Sequence, residues 1–415
     1  MKIWILNHYA SPPDRAAGTR HYEFGRVLVG QGHEVTIFAS SFSHFSLQEE
    51  RLAANELARA ESFDGVRFVW VRTASYSGND HRRTLNMLSY AAGVMLAQRR
   101  FSRPDVVVGS SVHLAAVASA CLIGHTRRAP FVFEVRDLWP QALIDLGELQ
   151  ERSVTARALR RLERFLYRRA RVVISLLPHA GEYIAGTGIP KEKIVYIPNG
   201  IADYGERVPV NSGSVVKLTA SIELLRRDGF LVAGYVGSHT QSNGLDTLVE
   251  AARMLRDRGA GKVAIVFVGD GPQKAECERL ALDYGLSNVF FHDPVPKSAV
   301  PAVLDTLDVT LFSVRDISVF KYGLSCNKLF DYLASGRPVV SACPVGDTPV
   351  SISGGGISVP SGRPDAIADA LLRLEALSDA GRRAMGERGR RWVYQHHGST
   401  ALAGRFLEAL TEAQR

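Results

Sequence analysis

The chain has 415 residues, of which 46% are hydrophobic, and a mean hydropathy of −0.02. This length predicts about two domains, each with its own core. No 18-residue run of uninterrupted apolar residues occurs, and a strand pattern begins at Lys2, so we expect neither a membrane span nor a signal peptide. The four cysteines lack metal-binding spacing and are too few for a disulfide framework, which favours a reducing, cytoplasmic compartment.

The net charge of +8 belongs mainly to the first half of the chain. Residues 1–205 hold 26 Lys and Arg against 19 Asp and Glu, whereas residues 206–415 hold 24 against 23. Eight of these arginines lie within 152–171. They flank an apolar stripe at helical spacing, which consists of Leu159, Leu162, Phe165 and Leu166. By itself this pattern fits a nucleic-acid surface, a membrane surface or a solvated helix.

The first half alternates strand and helix patterns. Strands are predicted at 2–8, 33–39, 66–71, 105–109, 130–135, 171–176 and 193–197. Helices are predicted after Gly18 and at 48–60, 83–100, 112–124, 152–170 and 179–186. Such alternation predicts a parallel, doubly wound α/β sheet.

The periodicity fades over a polar stretch at 203–228 and then begins again. We therefore predict a first domain at 1–205, a linker at 206–228, a second domain at 229–385 and C-terminal helices at 386–415, the last of which can return to the first domain. Strands of the second domain are predicted at 231–236, 263–268, 288–291, 309–312 and 338–342. Helices are predicted at 245–258, 272–284, 297–306, 327–335, 364–376, 379–395 and 399–413.

Ligands of open α/β sheets bind beyond the carboxyl ends of the strands. This rule places the loops 237–244 and 269–272 on one edge of the second sheet, together with Asp293 and Lys328. In the first domain, Gly18 lies in a small-residue turn between strand and helix. The turn lacks a GxGxxG fingerprint, so a role in packing explains Gly18 as well as close approach of a ligand does.

Residues 325–343 read as helix, sharp stop and buried strand, with Ser325 or Asn327 as the helix cap. Lys328 and Asp331 share one face of the first turn, where free N–H groups and the helix dipole favour an anion. A lysine can bind a diphosphate there, and a carboxylate one turn later can accept the hydroxyls of a ribose. On these two residues alone, a solvated i,i+3 ion pair on a surface helix is the favoured explanation. The long preceding loop, 315–324, favours the ligand site.

Three stretches of the sequence, taken in chain order, resemble the retaining glycosyltransferases of family 4, which have the GT-B fold. They are 195–201, 267–272 and 328–339. The resemblance covers nearly the whole chain and implies two Rossmann-like, doubly wound parallel-sheet domains that face a cleft. Within the family, 134–140 and 237–248 look most like enzymes of bacterial O-antigen and capsule assembly that transfer N-acetylated deoxyamino sugars, such as N-acetylfucosamine.

The resemblance also implies roles for particular residues. Lys328 would bind the diphosphate of a nucleotide sugar, Asp331 would bind the ribose where the family usually has Glu, and 290–293 would contact the base. The backbone at Gly18 would meet the donor from the opposite domain. The whole predicted donor-binding set is Gly18, Gly237, Gly269, Asp270, Asp293, Tyr322, Gly323, Leu324, Ser325, Asn327, Lys328 and Asp331.

The chain departs from the family at three places. The first Glu of the family's E-x7-E pattern falls at Gly323, the Arg and Lys that often follow the first strand are replaced by the loop 237–244, and a frequent catalytic His falls at Arg136. A donor sugar that lacks a hydroxyl fits these changes, and so does a decayed active site. We expect Lys328, Arg136 and Asp137 to be catalytic, although Arg136 and Asp137 also fit a structural ion pair at a strand end.

We expect catalysis without a metal or cofactor. No Asp-x-Asp occurs in the sequence, and its histidines show no ligand spacing with carboxylates. Fixed dipoles and cations would then stabilise the leaving diphosphate, and retention would arise from departure and attack on the same face of the sugar.

Three functions stay open at this point. The favoured one is transfer from a UDP-linked sugar to a polyprenyl-diphosphate-linked saccharide; the others are a GT-B-fold nucleotide-sugar epimerase and a catalytically weak binding partner of another transferase. A lipid-linked acceptor implies peripheral binding to the anionic inner face of the plasma membrane. We assign that surface to Arg160, Arg161, Arg164 and Arg168, and we find no base-reading element for nucleic acid.

Overall fold

The computed structural model describes residues 1–13, 18–44, 46–78, 81–111, 113–202, 213–259, 262–344 and 346–415. The chain divides into two compact units: unit 1 comprises Met1–Asn199 with Ser399–Arg415, and unit 2 comprises Gly200–Gly398. No helix within the described ranges has the length and apolar content needed to cross a membrane.

Ten strands lie in the described residues of unit 1. They are β1 (Lys2–Leu6), β2 (Glu34–Ser40), β3 (Phe42–Ser43), β4 (Gln48–Glu49), β5 (Ala58–Phe63), β6 (Val66–Val71), β7 (Val106–Ser111), β8 (Phe131–Val135), β9 (Val172–Ser175) and β10 (Ile194–Tyr196). Eight of them form one sheet in the order β10-β9-β8-β7-β1-β2-β6-β5, and β3 pairs with β4 separately. Within the large sheet β5 is antiparallel to β6, while the other pairs are parallel.

Helices alternate with these strands as predicted for a parallel sheet. They are α1 (Arg20–Gly30), α2 (His81–Ala97), α3 (Leu114–Thr126), α4 (Gln141–Asp145), α5 (Val154–Arg169) and α6 (Ala180–Gly186). The strands on which they pack are buried on both faces and read as continuous apolar runs, which is why the sequence located most of them.

The predicted helix at 48–60 is wrong. Its first two residues form strand β4 and its last three begin strand β5, which forms a hairpin with β6 through Asp64 and Gly65. Both turn residues have positive φ, 49° and 81°, as a tight Asp-Gly hairpin turn requires. The Asp-Gly pair before the next strand was the available signal for a hairpin.

Where unit 2 is described, it contains six strands, all parallel. They are β11 (Leu231–Val236), β12 (Val263–Val268), β13 (Val289–His292), β14 (Val309–Ser313), β15 (Val339–Ala342) and β16 (Gly356–Val359), and they lie in the order β13-β12-β11-β14-β15-β16. Its helices are α7 (Gly213–Arg227), α8 (Leu245–Asp257), α9 (Lys274–Asp283), α10 (Val300–Thr306), α11 (Asn327–Ala334), α12 (Pro349–Ser353), α13 (Pro364–Glu375) and α14 (Asp379–His397). The sequence prediction had missed β16, α7 and α12.

The segment predicted as a linker at 206–228 is largely helical. Helix α7 begins at Gly213 and buries Val215, Leu218 and Ile222 in a core of unit 2. These residues follow the three- and four-residue spacing of an amphipathic helix, but the polar stretch before them obscured the pattern. Residues 203–212 lie outside the described ranges.

The chain returns to unit 1 with its last helix, α15 (Ser399–Gln414). Leu402, Phe406 and Leu410 are fully buried there, in one core with Phe24 and Leu28 of α1. The break between the units therefore falls after Gly398 rather than at 386, and α14 belongs wholly to unit 2.

Candidate functional site

Three neighbouring strands of unit 2 end at the same level. Val236 of β11 is paired in register with Val268 of β12, which is paired with His292 of β13. The next residues along the chain, Gly237, Gly269 and Asp293, therefore follow at one edge of the sheet. The strand order reverses between β11 and β14, and open α/β sheets bind ligands at such a reversal.

The loops after β11 and β12 are bound to each other through their backbones. His239 N–H donates to the Asp270 carbonyl at 2.8 Å, and Gln273 N–H donates to the His239 carbonyl at 3.0 Å. Gly269 has a φ of 147°, and a Cβ there would lie 1.9 Å from the Gly237 carbonyl oxygen. Gly269 is thus required by loop packing, whatever ligand it meets.

Lys328 reaches across from α11 to the end of β11. Its ammonium donates to the Tyr235 phenol at 2.6 Å and to Asn243 Oδ1 at 3.0 Å, and it lies 4.7 Å from the centroid of the Tyr235 ring. No ion pair joins Lys328 to Asp331 in the described part of the chain, so the pair is not a simple i,i+3 surface bridge. Burial lowers the pKa of Lys328 to about 8.

Helix α11 begins without the predicted side-chain cap. Its N-cap residue is Cys326, not Ser325 or Asn327, and Cys326 makes no capping hydrogen bond. Asn327 is exposed and Ser325 is partly buried. Leu329 N–H donates back to the Cys326 carbonyl at 3.1 Å, and the N-cap side chain leaves the start of α11 uncapped. The first turn of a helix is the end that favours an anion.

The residues just before α11 differ in surroundings. Leu324 is 5% exposed and belongs to a core of unit 2, so its side chain packs and only its backbone can face a ligand. Gly323 has a φ of 97°, in the left-handed region. Tyr322 is partly buried at the end of a 3-10 turn that spans Ser318–Tyr322.

The three predicted acidic ligands are placed differently. Asp331 is partly buried, and burial raises the pKa of its carboxyl. Asp270 accepts from the Gly271 N–H at 2.8 Å, so its carboxylate stabilises the loop. The Asp293 carboxylate is 92% exposed and pairs with Lys274 at 3.0 Å.

Three predicted site residues lie in unit 1. A Cβ on Gly18, whose φ is 83°, would lie 2.6 Å from the Tyr9 carbonyl oxygen, so packing alone accounts for this glycine. Arg136 follows β8, and its backbone N–H donates to Ser111 Oγ at 3.1 Å. No ion pair between Arg136 and the exposed Asp137 is found among the described side chains. Their catalytic roles stay predictions.

Sequence reasoning missed a buried ionic cluster in unit 1. Glu134 is fully buried and meets His21 Nε2 at 2.7 Å, Arg20 Nε at 3.0 Å and Ser110 Oγ at 2.7 Å. Burial opposes ionisation of Glu134, but His21 and Arg20 hold the pKa of its carboxyl well below its usual range. Arg20 also donates to the carbonyl of Ile197 at 2.8 Å. The cluster fixes the start of α1 against the end of β10.

The arginine-rich helix α5 presents a different face from the one predicted. Phe165, one of the four residues of the apolar stripe, is 50% exposed. It lies on one helix face with the exposed Arg161, Arg164 and Arg168, because these four positions are spaced by three and four residues. Arg160 instead donates to Gln141 at 2.9 Å and pairs with Glu151 at 3.4 Å, so it does not belong to the free basic face.

Two further residues of the unit 2 edge were not predicted, Tyr235 and Asn243. Tyr235 was part of an apolar strand pattern and Asn243 part of a glycine loop, so neither stood out in the sequence. Among the described residues, no three His, Cys, Asp or Glu side chains group so as to hold a metal ion.

Two parallel-sheet α/β units in one chain have the architecture of the GT-B glycosyltransferases. Protein-family models agree: residues 15–200 match the glycosyl transferase 4-like domain and residues 231–376 match the glycosyl transferases group 1. The chain belongs to the family 4 glycosyltransferases of GT-B fold, as the sequence motifs predicted, and is a glycosyl-transferring enzyme.

Curated relatives are transferases. A putative colanic acid biosynthesis glycosyl transferase, WcaI of Escherichia coli K12, is 26% identical over 320 residues, which are 75% of this chain and 76% of the relative. The 2-deoxystreptamine glucosyltransferase of Streptomyces kanamyceticus is 30% identical over 174 residues, or 41% and 42% of the two chains. The probable glycosyltransferase WbjE of Pseudomonas aeruginosa is 22% identical over 242 residues, 58% of each chain.

Solved structures share the fold at low identity. Sucrose-phosphate synthase of Thermosynechococcus elongatus has a TM-score of 0.70 at 17% identity and 99% coverage of both chains. Anabaena HepE, crystallised with UDP, has a TM-score of 0.68 at 14% identity and covers 99% of this chain and 100% of its own.

Proposed function

We propose that this enzyme transfers a sugar, with retention and without a metal, from a nucleotide diphosphate donor to a lipid-linked saccharide during assembly of a cell-surface polysaccharide. The observation that carries the proposal is the setting of Lys328. Its ammonium is partly dehydrated, is fixed by Tyr235 and Asn243, and extends from the uncapped start of α11. A cation and a helix N-terminus at one sheet edge suit a diphosphate.

The reaction requires stabilisation of a leaving group. The bond between the sugar's anomeric carbon and the diphosphate oxygen breaks as the acceptor oxygen bonds to that carbon from the same face. The acceptor's proton passes to the departing phosphate oxygen. Lys328 and the N–H groups of α11 stabilise the negative charge that develops there, and such preorganised charge supplies a large catalytic effect.

The donor is a UDP-linked deoxyamino sugar on this proposal. At Gly323, where the family usually has a Glu that contacts the sugar, no side chain is present, and a sugar that lacks a hydroxyl needs no such contact. The relative named for colanic acid biosynthesis and the HepE structure with UDP support a nucleotide-sugar substrate in polysaccharide assembly.

The acceptor is a polyprenyl-diphosphate-linked saccharide, and unit 1 binds the anionic inner surface of the membrane. The support is the α5 face of Arg161, Arg164 and Arg168 with the half-exposed Phe165 among them. Basic residues attract anionic lipid, and an exposed aromatic ring suits the interface. Arg160 is left out of this surface because its guanidinium is already bonded.

One experiment tests the proposed function. The protein is screened against UDP-, dTDP- and GDP-sugars by thermal shift, since a ligand at a hundredfold excess over its Kd stabilises by about 2.7 kcal/mol. The donor so identified is then assayed with lipid-linked acceptors, with and without EDTA. Transfer that EDTA does not change supports the proposal. Epimerisation without acceptor, binding without turnover, or a rate restored by magnesium or manganese after EDTA contradicts it.

A further inference from the structure

His239 is a buried histidine with unmet hydrogen bonds at the unit 2 site. It lies in the loop after β11, it is 0% exposed, and neither ring nitrogen has a hydrogen-bond partner among the described residues. A neutral imidazole carries one donor and one acceptor, and each unmet buried group costs about 1–3 kcal/mol. A buried polar group of this kind in a folded protein calls for a physical explanation.

The ring is held in place at the edge where Lys328 lies. The backbone of His239 is bonded on both sides to the loop after β12. Its Nε2 lies 3.2 Å from the position that a Cβ on Gly269 would occupy. The ring centroid is 5.8 Å from that of Tyr235, the residue that accepts from Lys328. His239 is also the only ionisable side chain in the loop 237–244.

Two cations and one carboxylate act on the ring of His239. The charged groups that act on it are Lys274 of α9, Lys328 of α11 and Asp270 of the second loop. Burial first, then the charge of Lys274, lowers the pKa of His239 to about 4, with Lys328 acting in the same direction and Asp270 against it. The ring is therefore neutral near pH 7 while the site is empty.

We propose that His239 is a proton-linked positioning residue of the donor site, neutral when the site is empty and protonated when a nucleotide diphosphate binds beside Lys328. This inference rests on the proposed function. A bound diphosphate ester brings two negative charges, which offset the charges of Lys274 and Lys328 and favour the imidazolium. It also brings acceptor oxygens, which the ring N–H groups of His239 lack among the described residues.

The sign of the pH dependence follows from linkage. Because the proton is bound more tightly in the complex than in the empty site, affinity falls as pH rises through the pKa that His239 has in the complex. Lys328 does not contribute here, because its pKa of about 8 keeps it charged at pH 6 to 7 in both states. The effect is limited to about tenfold per pH unit.

The test is calorimetric titration of the full chain with UDP-glucose, dTDP-glucose and GDP-mannose. The diphosphate esters of these probes keep a constant charge over the pH range of the titrations. At about pH 6.5, the tightest of the three is titrated in two buffers of different ionisation enthalpy, which measures proton uptake. We expect uptake of a large fraction of one proton and several-fold weaker binding at about pH 7 than at about pH 6. Binding without proton uptake overturns the proposal and leaves the proposed function intact.

Variants separate a proton-linked role from a structural one. His239→Gln keeps a polar side chain and should bind more weakly, with no uptake and a flat pH profile. His396→Gln, which removes an exposed histidine of α14, should behave as the parent. Uptake that persists in His239→Gln overturns the proposal. Should that variant fail to fold, the calorimetry of the parent still decides. If none of the probes binds, the proposed function fails and this inference with it.

Discussion

The ammonium of Lys328 donates to the phenol of Tyr235 at 2.6 Å, although the two residues are 93 positions apart in the chain. The phenol in turn donates to the Ser238 carbonyl at 2.8 Å. Tyr235 thus connects the candidate phosphate ligand to the loop that follows its own strand.

Tyr235→Phe should lower the affinity for a nucleotide sugar by about tenfold, because a hydrogen bond to a charged group contributes about 1.5–3 kcal/mol. Calorimetric titration of the variant measures this loss. The matched control is Tyr332→Phe, since the Tyr332 phenol bonds only the backbone of Val236, at 2.8 Å to both N and O. The control should lose stability and keep its affinity; equal losses of affinity in both variants would show that Tyr235 acts only through folding.

Donor affinity should also fall above about pH 8. In the empty site the pKa of Lys328 is lowered to about 8, and a bound diphosphate favours the charged form and raises it. Affinity therefore decreases by up to about tenfold per unit as pH rises past 8. The dissociation constant is measured between about pH 7 and 9. Lys328→Arg stays charged, so the donor affinity of this variant should not fall as pH rises past 8. If the donor affinity of the parent does not change with pH either, Lys328 does not bind the diphosphate.

Asp331→Ala should act mainly on nucleotide binding, because a ribose carboxylate contacts a part of the donor that does not react. We expect about tenfold weaker binding of the free nucleotide, with little change in the turnover of saturated enzyme. Asp369→Ala is a matched control for lost charge, since its carboxylate is 55% exposed and paired with Arg258, away from the predicted donor-binding residues. Unchanged nucleotide binding in Asp331→Ala would rule out the ribose role.

Liposome binding should depend on one face of α5. Replacing Arg161, Arg164 and Arg168 by Gln should weaken co-sedimentation with anionic vesicles, because each basic residue near the surface adds about 1 kcal/mol of attraction, and high salt should weaken the parent similarly. A control triple removes as much charge from exposed arginines of unit 2, namely Arg373, Arg383 and Arg391. If the two triples bind alike, the α5 arginines are an ordinary solvated face.

The parallel strands could be predicted because burial on both faces leaves continuous apolar runs in the sequence. The hairpin of β5 and β6 and the helix α7 could not be placed from periodicity, since half of the residues of β5 are polar and two others are alanine, while a polar stretch precedes α7. Lys328 and the glycine loops were found from spacing and chain order. The contacts that fix Lys328 were not, because Tyr235 and Asn243 are 93 and 85 residues away and meet it only through tertiary packing.

The exposure of Phe165 shows a second limit of prediction from the sequence. Its spacing places it in the stripe with Leu166, but the helix face that packs in unit 1 is centred on Ala156, Glu163, Leu166 and Tyr167. A buried Glu163 displaces the apolar face by part of a turn. Its carboxyl accepts from Tyr167 at 3.1 Å, and burial raises its pKa to about 7. A buried polar residue such as Glu163 does not appear in the pattern of hydrophobic residues, so the sequence could not reveal this packing face.

The turnover of Lys328→Ala, measured with a saturating nucleotide sugar and a competent acceptor, is the sharpest test of whether Lys328 stabilises the leaving diphosphate. The parallel variant is Lys217→Ala, which removes an exposed lysine of α7. Loss of the cation beside the leaving diphosphate should lower the turnover number by about a hundredfold or more, as removal of one charge-stabilising donor does elsewhere, while Lys217→Ala keeps the rate of the parent. A turnover number of Lys328→Ala within a few fold of the parent value would show that Lys328 does not stabilise the leaving group.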